Sequence, residues 1–395
     1  MNAIRDIDSL VDPTHDELAR QGFVSRLRKH VMKDVADTMR DAYDNAVMPS
    51  FVTTHGREPE TGEEVRDAIS NNLTYRVWSS LRYNAQEMVW ESVREEVERQ
   101  LPDMISIADQ ASHSNSHGGS LTLDPELAMP DYVDTMDVHL MPGCWQDEHA
   151  EGDVAQGAIY AHGGQVFRGS LLPSKTRSGV AASVSKWLSI RYPEFKPEKI
   201  LETGCTIGNN LFPYKDIYPD AELTGVDVAA PCLRYANARA VARGVDAHFS
   251  QQNAETLDFT DNSFDLVVSS FFFHELSVEA TKRVLAECRR VLKPGGMMVH
   301  MELPPSSQVD AYYNFFLDWD NEHNNEPHYR DFRSRECADL MASAGFSADE
   351  YFTASIPDVG GADPAYFRQV ALGEAEPPKH GIYTSWGLFG AVKAA

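Results

Sequence analysis

Glu202, Gly204, Gly208 and Asp227 are the residues whose types and order most directly suggest chemistry. The run Lys199-Ile200-Leu201-Glu202-Thr203-Gly204-Cys205-Thr206-Ile207-Gly208-Asn209 reads as a short buried strand, a glycine-containing turn and the opening of a helix. A second strand-like run, Glu222 to Asp227, ends on an acid. Glycines let a backbone approach a ligand closely, and a carboxylate closing the second strand suits the paired hydroxyls of a ribose. A dinucleotide site would instead show G-x-G-x-x-G, its third glycine packing the helix close. Further along, His274 ends another strand-like run, Ser269-Ser270-Phe271-Phe272-Phe273-His274-Glu275-Leu276. An imidazole titrates near neutrality and can act as a general base. The same side chain can also hydrogen-bond locally and cap the next helix, and the sequence leaves both roles open.

The glycine turn resembles motif I of the class I S-adenosylmethionine-dependent methyltransferases, an acidic residue followed by G-x-G-x-G. The resemblance continues downstream in the family's order. Asp227 matches the ribose-binding acid, Gln252-Asn253-Ala254-Glu255 through Phe264-Asp265 matches the adenine loop and fourth strand, and Leu292-Lys293-Pro294-Gly295-Gly296 matches the turn before the fifth strand. It implies S-adenosylmethionine as cofactor. Glu202 would offer charge opposite the cofactor's amino group, and the Gly204–Gly208 turn, with Cys205 and Thr206, its backbone. Asp227 would hold the ribose diol, Val228 would pack on the adenine, and Asn253, Ala254 and Glu255 would reach its edge. Ser270 and Phe271 lie where the family brings residues closest to the transferred methyl, with His274 beyond them. Two positions depart from the pattern: Thr206 replaces the middle glycine, and Asn253 the usual aspartate. The Asn-Pro-Pro-Tyr type motif of amino-methylating nucleic-acid and glutamine enzymes does not occur there. The resemblance therefore implies methyl transfer to a small molecule, at oxygen or carbon. A non-catalytic or non-methylating S-adenosylmethionine-binding protein is the alternative.

Alternating strand and helix patterns position these residues, and they imply an α/β, Rossmann-like, seven-stranded and mostly parallel sheet. The reading is a helix from Ser178 to Tyr192, strands at 199–203, 222–228, 246–250, 264–270 and 296–302, and helices near 209–217, 231–243 and 277–291. Closing strands follow near 349–356 and 382–392, the last one antiparallel at the edge. The first 140 residues read as an all-helical N-terminal domain, and 141–395 as the methyltransferase domain. Thr14/Glu17 and Thr61/Glu64 have capping-box spacing. Helical stripes then run through Val24, Val31 and Tyr43 until Pro49, through Val65 and Val77, and through Val89, Val93 and Val97 until Pro102. Those stripes have three candidate partners: ordinary core, the catalytic domain, or a second subunit in a homodimer.

Three other segments invite a functional reading. Residues 109–122 look like an exposed linker, and His113 and His117 within it lack companions for a metal site. Gly157 to Gly169 resembles a hairpin with Gly163-Gly164 at its tip, and makes Tyr160 and Arg168 candidates for the cofactor's carboxylate. The insertion at about 305–332 is rich in aromatics and would hang over the acceptor side as a lid. Tyr312, Phe316 and Trp319 share a helical face there and either wall a substrate or pack on the N-terminal helices. Asp318, Glu322, His323 and His328 match no standard ligand spacing, so no metal is expected.

Composition narrows the classes. The chain has 395 residues, 42% of them hydrophobic, and carries a net charge of −25 from 60 acidic and 35 basic residues. So negative a surface repels phosphate backbones and anionic lipid, which argues against nucleic acid and membrane partners. The 5 cysteines are dispersed without C-x-x-C pairs, as in a reducing compartment. No apolar run is long enough to span a bilayer, and the expected location is the cytoplasm.

Overall fold

A computed structural model describes residues 4–114, 118–168, 179–380 and 385–394. His117, the proposed helix start at Ser178, Gly169 and the 382–384 part of the last strand lie outside them.

The N-terminal helices are α1 (His15–His30), α2 (Ala36–Ala42), α3 (Met48–His55), α4 (Gly62–Ile69) and α5 (Leu73–Ser112). Thr14 and Glu17 close the expected capping box, and Thr61 accepts from the Glu64 amide. Pro49 does not end its helix. A π turn at Tyr43–Val47 precedes it, and Met48 N–H reaches back to the Tyr43 carbonyl. The wider register passes the proline's missing donor at a point where the ladder is already shifted. Nor does Pro102 end α5, whose buried stripe continues through Met104, Ala108 and Ala111. Burial along 40 residues outweighs one lost backbone hydrogen bond.

After α5 come β1 (Ser120–Thr122), α6 (Asp131–Asp134), α7 (Ala155–Arg168), α8 (Gly179–Arg191), β2 (Lys199–Thr203), α9 (Tyr214–Ile217), β3 (Glu222–Asp227), α10 (Ala230–Arg243), β4 (Ala247–Gln251), β5 (Phe264–Ser270), α11 (Val278–Val291) and β6 (Leu292–Glu302). The chain closes with α12 (Ala311–Glu322), α13 (Tyr329–Arg333), α14 (Cys337–Ser343), β7 (Tyr351–Pro357), α15 (Pro364–Leu372) and β8 (Ser385–Val392). The strands form one 8-stranded sheet in the order β1-β4-β3-β2-β5-β6-β8-β7. Everything from β1 to β6 is parallel, β8 runs antiparallel to β6, and β7, antiparallel to β8, returns to the common direction. Chain order reverses at β2, and in doubly wound sheets the ligand crevice lies at such a switch point, here beyond the carboxyl ends of β2, β3 and β5.

Four expectations need correction. The sheet has an eighth strand because 120–122, read as linker, pairs with β4. The last strand lies inside the sheet between β6 and β7, so β7 is the edge. The expected helix near 209–217 is helical only over α9. The supposed hairpin is α7, and its glycines are packing contacts rather than turns. A Cβ on Gly163 would sit 2.5 Å from the Trp90 ring, and one on Gly157 2.5 Å from Tyr235.

Most of the N-terminal stripes are covered by the chain's own helices, but Val77 is 49% exposed, because α4 ends at Ile69 and α5 starts a new face at Leu73. Val89, Trp90, Val93 and Val97 share a core with Ala158 of α7 and Tyr235 of α10. Val31, Met39, Val65 and Trp78 share another with Tyr312, Phe315 and Trp319 of α12. At its centre Trp78 and Trp319 stack with ring centroids 3.5 Å apart, both fully buried, and Trp319 donates to Ser79 Oγ at 2.8 Å. Truncating such a ring costs about 3–5 kcal/mol through lost burial and the cavity left behind. Trp319→Ala should lower unfolding free energy by that amount in urea titrations, while a surface control such as Leu73→Ala should change it by less than about 1 kcal/mol.

Candidate active site

The crevice is built around Asp227. The last residue of β3, it accepts the Thr206 amide at Oδ2 (2.8 Å) and the Ala229 amide at Oδ1 (3.0 Å). One carboxyl group thereby fixes the glycine turn after β2 to the turn before α10. Each oxygen keeps a further lone pair for another donor. The contact to Ala229 is local, but the N-cap of α10 is Ala229 itself, so Asp227 is not a helix cap.

The turn needs that clasp. Gly204 and Gly208 have φ of +68° and +74°, and Thr206, at φ 46°, is left-handed despite its branched Cβ. That conformation costs a non-glycine residue roughly 1 kcal/mol or more. The hydrogen bond that the Thr206 amide donates to Asp227 offsets it, which explains how the turn keeps its shape without the middle glycine. A side chain on Gly204 would collide with the Phe272 ring, so the β5 end packs directly on this turn.

Glu202, at the end of β2, is 1% exposed, and its Oε2 has no hydrogen-bond partner. Burial, with the charge of Asp227 adding to it, raises its carboxyl well above the usual range. Burial also raises Asp227, against the opposing pull of the amides it accepts. Two acids thus face one crevice in a poorly solvated setting, where a cation and hydrogen-bond donors would be stabilised. Cys205 is a buried thiol raised by the same surroundings.

The remaining sequence-predicted residues fall into two groups. Val228 is half-buried, and its carbonyl accepts from Gln251. Asn253 Oδ1 accepts the Glu255 amide at 2.9 Å in a local turn, so the side chain is at least partly occupied. Ala254 is buried beside it. Glu255 accepts Tyr132 Oη at 2.9 Å and pairs with Arg283. Ser270 closes β5, and Phe271, with φ 54° and 38% exposed, stands at its tip edge-on to His274 and Trp386. Tyr160 is half-buried on α7, its hydroxyl pushed up to about 12 by burial, and Arg168 is exposed in the last turn. Tyr312 and Trp319 belong to the core against the N-terminal helices, and Phe316 lies half-buried against Trp78. This packing corrects the substrate-wall reading of that face.

His274 sits differently from a free base. It is buried, with Nδ1 2.7 Å from Glu302 Oε2 and Nε2 3.5 Å from Glu275 Oε1. Burial lowers its pKa, but the two carboxylates outweigh that and raise it well above the ordinary value. The favoured form is the imidazolium, which has no lone pair to take a proton. Glu275 Oε1 also lies 3.0 Å from His139 Nε2, and His139 Nδ1 lies 3.1 Å from Glu326 Oε1. Glu302, His274, Glu275, His139 and Glu326 therefore form one chain of alternating acids and imidazoles. It joins the ends of β5 and β6 to the 138–140 loop and to the insertion. Among the described residues no group of three or more such side chains is arranged to hold a metal ion.

The sequence reading missed His139, Glu275, Glu302, Glu326 and Tyr132. A signal existed for Glu302: like Glu202 and Asp227, it is an acid at the carboxyl end of a buried strand. Nothing in local spacing could have brought His139 to Glu275.

The comparisons bear on this crevice. The methyltransferase domain family model matches residues 200–296. The demethylmenaquinone methyltransferase of Thermus thermophilus is 37% identical over 112 residues, 28% of this chain and 50% of that protein. The malonyl-[acyl-carrier protein] O-methyltransferase of Geobacter sulfurreducens is 30% identical over 196 residues, 48% of this chain and 72% of that protein. The chain belongs to the class I S-adenosylmethionine-dependent methyltransferases. The family's cofactor is S-adenosylmethionine. The chain spans about half the length of the first curated relatives it matches. A solved Haemonchus contortus phosphoethanolamine N-methyltransferase 2, in complex with phosphomonomethylethanolamine and S-adenosylhomocysteine, aligns with 60% of this chain and 57% of its own at 15% identity and a TM-score of 0.39. Among the described residues no helix is long and apolar enough to cross a membrane.

The acid–imidazole chain generates a pH signature. Burial lowers the His139 pKa, yet Glu275 and Glu326 raise it from 6.5 to about 10. The stabilisation is complete below pH 6.5 and is lost as pH rises through 10. At about 1.4 kcal/mol per pH unit, a shift of that size corresponds to roughly 5 kcal/mol. Urea unfolding between pH 6 and 10 should show wild-type stability falling more steeply than that of His139→Gln. Parallel curves would exclude the coupling.

Proposed function

We propose that this protein transfers a methyl group from S-adenosylmethionine to a small-molecule acceptor, at oxygen or carbon. The observation that carries the reading is a pair of acids, buried Glu202 and half-buried Asp227, flanking a left-handed glycine turn. An ammonium answers the unpartnered oxygen of Glu202, and a ribose diol answers the free lone pairs of Asp227. Bound S-adenosylmethionine supplies the methyl group as an electrophilic sulfonium substituent. The chain's contribution is to bind, orient and exclude water, which can account for much of the rate of an in-line displacement. Val228, Ala254 and Phe271 offer apolar surface around the crevice. The names of the relatives, a quinone precursor in one case and a carrier-bound malonyl O-acceptor in the other, support a small-molecule substrate.

In this reading His274 is a positioning cation rather than the base. Held between Glu302 and Glu275, it ties the tips of β5 and β6 together beside the crevice. The acceptor must then arrive already nucleophilic or be acidic enough to lose its proton to solvent. Turnover falling on acidification through the ordinary histidine range would contradict this, because a group with a raised pKa does not titrate there.

Asp227→Asn keeps the side chain's size but loses its charge and one of the two acceptors that hold the Thr206 and Ala229 amides, whereas Asp227→Ala loses both acceptors. Calorimetry with S-adenosylhomocysteine should show Asp227→Ala weakened by about 2 kcal/mol or more, the scale of lost charge-assisted hydrogen bonds, with Asp227→Asn intermediate. Unchanged affinity in a folded Ala variant would remove the assignment. Release of S-adenosylhomocysteine from S-adenosylmethionine with a panel of phenols, quinols and carboxylic acids tests the activity itself. For the catalytic role of His274, His274→Asn should leave cofactor affinity within about threefold of wild type. A turnover loss of about 10²-fold or more that imidazole added to the buffer restores would instead identify a base.

A further inference from the structure

The first described turn of the chain reaches the cofactor turn through Arg239 of α10. Residues Ile7–Leu10 form a single 3-10 turn capped by Asp6, and Ile7 is fully buried in the core that also holds Ile207, Ala229 and Tyr235. Asp8, beside Ile7, accepts Tyr235 Oη at 2.6 Å, and its other oxygen takes Arg239 Nε at 3.2 Å together with an Arg243 nitrogen. Arg243 also pairs with Asp6 at 3.1 Å.

Arg239 carries the contact onward. It is 6% exposed, and its Nη1 donates to the Ile207 carbonyl at 2.7 Å and to Asn209 Oδ1 at 2.8 Å. Those two residues lie between and just after the left-handed positions Thr206 and Gly208. A guanidinium presents its donors in a rigid planar fork, so Arg239 cannot hold the turn in this pose and release Asp8 independently. Asp227 clasps the turn through the Thr206 amide. Asp8, through Arg239, clasps it at Ile207 and Asn209.

We propose that the Ile7–Leu10 turn is a positioning latch for the cofactor turn. Asp8 acts through Arg239 to hold residues 206–209 in the shape that receives S-adenosylmethionine. Docking of the N-terminal turn and binding of the cofactor are then linked, and each strengthens the other by the same factor. The inference rests on the cofactor reading of the same crevice.

The test uses the full chain and S-adenosylhomocysteine, titrated by calorimetry well below the melting transitions. Asp8→Asn and Arg239→Lys should weaken binding by about 5- to 150-fold, the range of typical coupling between sites. Asp8→Glu should recover most of the loss, which a purely structural role affecting only melting temperature would not produce. In wild-type protein, saturating S-adenosylhomocysteine should slow hydrogen exchange of the amides of residues 7–10, and this measurement needs no variant to fold. Folded Asn and Lys variants binding with wild-type affinity, or exchange at 7–10 indifferent to ligand, would overturn the latch. Wild-type protein that binds no S-adenosylhomocysteine would overturn the cofactor reading itself, and the two failures are thereby distinguished.

Discussion

Two backbone amides converging on the carboxyl group of Asp227 are the constraint on which the crevice depends. Without that clasp the glycine turn after β2 would have to hold a threonine in a left-handed conformation unaided. With it, one side chain sets the separation between the ends of β2 and β3. The cost is electrostatic: Glu202 and Asp227 are brought together in a poorly solvated place, and burial raises both. Burial disfavours the charged forms of both acids, and a cationic ligand that restores those forms is stabilised in return. That is the physical basis for matching the crevice to a cationic nucleoside.

The same logic, with a different solution, operates at the next pair of strand ends. Glu302 closes β6 much as Glu202 stands one residue before the end of β2, but Glu302 is answered within the protein. Its two oxygens accept the Phe273 amide and face the His274 ring, each at 2.7 Å. His274 and His139 then share Glu275, whose carboxyl is held low by both imidazoles although burial opposes it. Charge that is left open around the glycine turn is neutralised in place below Phe271. The first arrangement suits a binding surface and the second a rigid wall, which is why His274, attractive as a base by residue type, fits better as part of the wall.

Legibility followed the range of the interactions. The strands, the glycine turn and Asp227 were readable because adjacent residues determine them, through strand hydrophobicity, turn chemistry and an acid at a strand end. The helix α7 was misread because Gly157 and Gly163 look like turn formers locally, whereas the fold uses their missing side chains to admit Tyr235 and Trp90. Pro49 and Pro102 were misread as stops for a related reason: a π turn in one case and long-range burial in the other override a local rule. The aromatic insertion was ambiguous because Tyr312 and Trp319 suit a substrate wall and a core equally well. Only the Trp78 stack, contributed by a helix more than two hundred positions earlier, decides it. The acid–imidazole chain was least legible of all, since His139 meets Glu275 and Glu326 only after three separate loops have been placed.

The N-terminal helices therefore act on the site through structure rather than through contact with the crevice. Along α5, Gln86 and Trp90 both donate to the His139 carbonyl, at 3.0 and 2.7 Å, and so hold the loop that supplies an imidazole to Glu275. Arg82, fully buried one turn earlier, bridges Gln86 to Asp320 of α12, so the same helix face also fixes the insertion. A buried guanidinium is tolerated only when its partners are in place, because an unpaired charge there is strongly destabilising. The register of α5 is consequently specified by polar contacts at one end of the shared core and by the stacked indoles at the other. A shift of one helical turn would break both together. It would also release the 138–140 loop from Glu275, which makes the geometry of the wall beside the crevice a property of the assembled chain rather than of the parallel sheet alone.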